Sequence, residues 1–130
     1  MFEVGDIVKV FAPQAGHEKY HICIAIGVDG GAFQFLYLNS DPTFEDTFVC
    51  DCTKIPCLPV SKSGKTAVSF ALLPRYNERQ LRLFKAEKLG VLEPTLAVEI
   101  HKTASSAKTM TTAERKIVLG ALEAISKKKT

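Results

Sequence analysis

His17, Lys19 and His21 alternate along one stretch of the chain, and Ser40 closes the next run of strand-forming residues. These types can do metal-free phosphodiester chemistry. Histidine titrates near neutrality, so His21 can take a proton from a 2′-hydroxyl and His17 can return one to a leaving oxygen. Lys19 supplies positive charge, and Ser40 a hydrogen-bond donor for a phosphate oxygen. Each also has a plain structural role open to it: His21 as a polar strand start, His17 as an exposed loop residue, Lys19 as a solvated charge and Ser40 as a turn former.

A second group is basic. Arg75, Arg79 and Arg82 surround Tyr76, and such a set can bind phosphate and stack a base. Arg79 and Arg82 share a helix face if the segment is helical. Cys50, Cys52 and Cys57 raise a metal reading, but the one-residue gap is off the usual zinc spacing and no second ligand cluster follows. No metal and no cofactor is expected. Ser61-Lys62-Ser63-Gly64-Lys65 lacks the glycine pattern and following helix of a phosphate loop.

Composition bounds the possibilities. The chain has 130 residues, 46% hydrophobic and 24% charged, as in an ordinary globular domain. The net charge is +3, and Lys127, Lys128 and Lys129 form a terminal basic run, so the rest is close to neutral. Charge alone therefore neither requires nor excludes a nucleic acid. No stretch approaches the roughly 20 apolar residues of a membrane span. The start Met1-Phe2-Glu3-Val4 lacks a secretion signal, which predicts a cytoplasmic protein.

The elements that must position these residues read as β first and helix second. Ile7–Phe11 is a β-branched run ended by Pro13. Tyr20–Val28 alternates with period two, placing Ile22, Ile24 and Ile26 on one face and His21, Cys23 and Ala25 on the other. Asp29-Gly30-Gly31 predicts a turn into a strand over Ala32–Leu38. That hairpin would carry His21 and Ser40 to the same open end. Asn39–Thr43 reads as loop, Thr47–Cys52 and Thr66–Phe70 as further strands. Five short strands in about seventy residues leave costly edges, which curling into a small barrel would remove.

Asn77 with Gln80 predicts a capped helix that Gly90 ends, with Leu81 and Phe84 facing inward. Pro94 fits the first turn of a second helix, with Leu96, Ala97, Ile100, Ala104 and Ala107 as its buried stripe and His101 beside it. Thr111 with Glu114 predicts a capping box on a third, amphipathic helix. The expectation is a single domain, mainly β with C-terminal helices: residues 1–72 a β-barrel core, 77–126 a helical part packed on it, and 127–130 a flexible basic tail.

Gly5-Asp6-Ile7-Val8-Lys9-Val10, Gly16-His17-Glu18, the apolar strand Ile22–Ile26, Ala86–Leu92 and the helix over Leu96, Val98, Glu99 and Ile100 occur in an order that resembles the MazF/PemK-like toxin family. That resemblance implies a small SH3-like barrel and a metal-independent endoribonuclease cutting single-stranded RNA. It implies a homodimer held silent by an antitoxin-like protein, and no membrane. The family's catalytic arginine position is occupied here by Tyr20-His21, and Ser40 resembles the catalytic serine or threonine after the third strand. A non-catalytic barrel that binds RNA or protein, or has an assembly role, is the alternative.

Overall fold

The computed structural model describes residues 1–12, 16–28, 30–40 and 46–128. Pro13, Asp29, Asp41–Thr43 and Lys129, expected as strand stop, turn, loop and tail, lie outside the described residues. The described chain forms β1 (Asp6–Ala12), β2 (His17–Val28), β3 (Ala32–Asn39), β4 (Thr47–Asp51), β5 (Lys65–Ser69), β6 (Arg75–Tyr76), α1 (Glu78–Leu83), β7 (Glu87–Val91), α2 (Pro94–Ser105) and α3 (Thr112–Ser126).

Period-two alternation sorts the strands into two faces. Ile7 stands opposite Ile22, and Ile22 opposite Leu36. These join Leu38, Val68 and Phe70 in the main core, which α2 and α3 cover with Leu96, Ile100, Val118, Leu122 and Ile125. The alternate residues Val8, Val10, Cys23, Phe33 and Phe35 form a smaller cluster on the other face, closed by Leu81 of α1. β1 is thus buried on both sides. Gly5, at φ +99°, lets α3 approach closely: a Cβ there would lie 3.2 Å from Ile125.

The sheet is antiparallel, in the order β4-β5-β3-β2-β1-β7, with β6 paired to β3. It is open. β4 and β7 end its main path, and among the described residues no strand pairing joins them. The SH3-like, MazF/PemK-type barrel is therefore corrected to a mixed α/β domain with an open sheet. Barrel closure is only one way of managing edges. Here α2 packs beside β4, and the β7 edge carries charges: Glu87 pairs with Lys9 at 3.5 Å and Lys88 with Asp6 at 3.3 Å.

β7 falls where a helix running to Gly90 was expected. The helix stops earlier, in a left-handed cap. Lys85 has φ +54°, its N–H donates to Arg82, and the Ala86 N–H donates to Leu81 at 2.8 Å. That is a Schellman pattern with lysine where glycine usually stands. A bulge between Cys23 and Ala25 also breaks the isoleucine face, leaving Ile26 53% exposed.

The helix starts follow their caps. Asn77–Gln80 and Thr111–Glu114 form reciprocal capping boxes, and Pro94 opens α2. Asp46, at φ +57°, ties β4 to the α2–α3 connection: its carboxylate accepts from the Lys108 N–H, the Thr109 N–H and the Thr109 hydroxyl. The Arg115 guanidinium bonds the Ala107 carbonyl across the same connection. Among the described residues, no helix is long and apolar enough to cross a membrane.

Candidate functional site

β2 and β3 decide where the candidate residues go. His21 lies opposite Val8 on one side and Tyr37 on the other. Its imidazole is fully buried, with ring centroids 4.8 Å from Tyr37, 5.5 Å from Phe35 and 5.8 Å from Tyr76. Neither ring nitrogen has a hydrogen-bond partner among the described residues. Burial pushes the imidazole down to about 4, and the Lys19 charge adds to the fall. The backbone carbonyls at Lys19 and Val8 oppose it without reaching hydrogen-bond geometry.

Ser40 is exposed beyond the end of β3. It opens, with Leu38 and Tyr20, into a hollow of about 270 Å³ on the face that the main core occupies. His21 and Ser40 therefore serve opposite faces of the sheet, and His21 does not line the hollow that holds Ser40. His17 and Lys19 do line the hollow. His17 is exposed, and its Nδ1 lies 2.9 Å from the Glu18 carbonyl. The resemblance to the toxin family falls with the barrel, and the endoribonuclease reading loses the support it drew from it.

The basic group is also divided. Tyr76 packs its ring against His21, Phe35 and Phe84, so that face is not offered to a base. Burial pushes its hydroxyl well above the ordinary phenol range, and a hydrogen bond with Tyr37 raises it further. Arg82 pairs with Glu78 at 3.2 Å. Arg79 is exposed on α1, and Arg75 is exposed in β6 on the β3 edge opposite Gln34.

Sequence reasoning missed the wall of the hollow. Leu58, Pro59, Val60 and Ser61 follow a 3-10 turn at Cys52–Lys54 and stand over the sheet. The only sequence signal was the punctuation by Pro56 and Pro59. Val60 is 85% exposed. A second hollow of about 340 Å³ shares Glu18, Tyr20, Leu58 and Pro59 with the first and continues past Lys9 to Leu89. Together they make one crevice that crosses β3, β2, β1 and β7. Its Lys9 is matched by carboxylates, lying 3.6 Å from Glu18 and 3.5 Å from Glu87. Glu18 and then Glu87 hold the Lys9 ammonium above its ordinary range.

The hydroxyls here support the wall. Ser61 donates to the Lys65 carbonyl and Ser63 to the Ser40 carbonyl, each at 2.7 Å. No hydrogen bond joins His17 to Ser40 among the described residues. The four cysteines are free thiols, and burial raises Cys50 and Cys57 above their ordinary range. Among the described residues, no group of three or more His, Cys, Asp or Glu is placed to hold a metal. No family model, curated protein or solved structure matches the chain.

Proposed function

We propose that the protein is a non-catalytic binding module that holds an extended segment of a partner protein in the crevice between the sheet and residues 57–61. The observation that carries this is the crevice itself. It joins an aromatic and aliphatic floor, Tyr20 and Leu38, to a wall topped by the exposed Val60, with hydroxyls and a neutralised ion pair alongside. Mixed apolar and hydrogen-bonding linings of this kind suit a peptide. A nucleic-acid groove calls for concentrated positive charge. Here Lys9 is matched by two carboxylates and Arg82 by one. Free thiols fit a reducing, cytoplasmic setting.

Selection of displayed random peptides against the purified protein tests this. Enriched peptides should bind the wild-type protein, and Val60→Asp and Tyr20→Ala should each weaken them about tenfold or more. Val60→Asp should leave the melting temperature unchanged. A failure to enrich peptides overturns the proposal. So does single-stranded RNA binding in the same crevice with a steep salt dependence.

A further inference from the structure

Independently of the crevice, the opposite face of the sheet carries a buried titratable group under thin cover. His21 has no access to solvent, and neither ring nitrogen has a hydrogen-bond partner among the described residues. The groups packed around it offer no compensating charge. β3 contributes Phe35 and Tyr37, and β6 contributes Tyr76. β1 contributes Val8, and its Asp6 sits beside Cys23 and is paired with Lys88. α1 closes the cluster with Leu81, and Phe84 just beyond it backs Tyr76. On β2 itself, Cys23 stays a neutral thiol, pushed up to about 12 by burial, and Lys19 repels a positive imidazole. Among the described residues, no carboxylate acts on the ring.

The cover over this face is slight. The segment 75–86 holds a two-residue strand and a six-residue helix. It is pinned where Phe35 donates to the Pro74 carbonyl and Phe11 to the Phe84 carbonyl, each at 2.9 Å. A helix this short does not persist in water without its docking surface. The other face is covered by helices of 12 and 15 residues over a larger core.

We propose that protonation of His21 releases the segment 75–86 from the sheet while the α2–α3 layer stays folded, so that acid uncovers the apolar face of Val8, Val10, Phe33 and Phe35. An imidazolium is poorly held among three aromatic rings, since the Lys19 and Val8 carbonyls that favour it do not reach hydrogen-bond geometry. The closed form binds the proton only near pH 4, whereas an opened form binds it near the ordinary value of about 6.5. Opening is therefore favoured by about tenfold per pH unit as pH falls between those limits.

Amide hydrogen exchange on the full chain tests this, with rates corrected for intrinsic pH dependence. The Leu81, Phe84 and Ala86 amides are hydrogen-bonded within the segment. Their protection should fall about fortyfold between pH 6.5 and 4.5, while that of Leu122 and Ile125 in α3 holds. His21→Phe should abolish the change. Loss of protection in step across α1 and α3, or no pH dependence, overturns the proposal. Should His21→Phe not fold, the imidazole resonances of the wild-type protein serve instead. A ring that protonates while Leu81 stays protected also overturns it.

Discussion

His21 and Tyr37 face each other across β2 and β3 with their ring centroids 4.8 Å apart, and the hydroxyl of Tyr37 is engaged with Tyr76 rather than with the imidazole. The imidazole thus behaves as a buried aromatic with two orphaned nitrogens. Three consequences for stability are open to measurement apart from those already given, and a fourth concerns this ring.

His21→Phe keeps the ring and removes both orphans. At pH 7 the variant should lie within about 1 kcal/mol of the wild type in urea denaturation, with the lost polar groups offsetting a slightly larger ring. The sign at lower pH follows from the depressed value of about 4. Between the unfolded value near 6.5 and that figure, the unfolded chain binds more protons than the folded one, so wild-type stability falls as pH falls. The variant should lack this fall and be the more stable of the two at pH 4.5.

Lys85→Gly tests the helix stop. A lysine at φ +54° carries the steric cost of the left-handed region, which glycine does not. The substitution should stabilise the protein by about 0.5–1 kcal/mol and raise the melting temperature by a few degrees. An unchanged or lower melting temperature would show that the lysine side chain contributes more than its backbone costs.

Asp46→Ala removes the carboxylate that accepts from Lys108 and Thr109. A loss of about 1–3 kcal/mol is expected. Burial acts to raise this carboxyl, but the hydrogen bonds from Thr109 and Lys108, with the Arg115 charge, together hold it below its ordinary range. Its stabilisation is therefore complete above the unfolded value near 3.9 and is lost as pH falls through the lower folded value. Denaturation curves of the two proteins should converge in acid.

Gly90→Ala places a Cβ 3.0 Å from the Cys57 sulfur and 3.1 Å from its Cβ. Overpacking here should cost about 1–3 kcal/mol. In a double-mutant cycle with Cys57→Gly, most of that cost should disappear. Additive effects would show that Cys57 is not what Gly90 makes room for.

The sequence by itself determined the parts whose causes are local. Period-two runs produced β1 to β5, Asn77–Gln80 and Thr111–Glu114 set two helix starts, and the stripe from Leu96 to Ala107 marked the buried side of α2 and the turn after it. These depend on neighbours within four residues, which a linear reading contains. Only the tertiary structure decided whether the sheet closes, because closure depends on whether β4 and β7 find each other or find other cover. It also decided that Lys85 stops a helix without a glycine, since the strand formed by Glu87–Val91 alongside β1 repays the strained residue. The separation of His21 from Ser40 has the same cause. Strand alternation put His21 and Tyr20 on opposite faces, but nothing local says which face receives a layer of helices and which a thin flap, and that difference seals the imidazole and leaves Ser40 in the open.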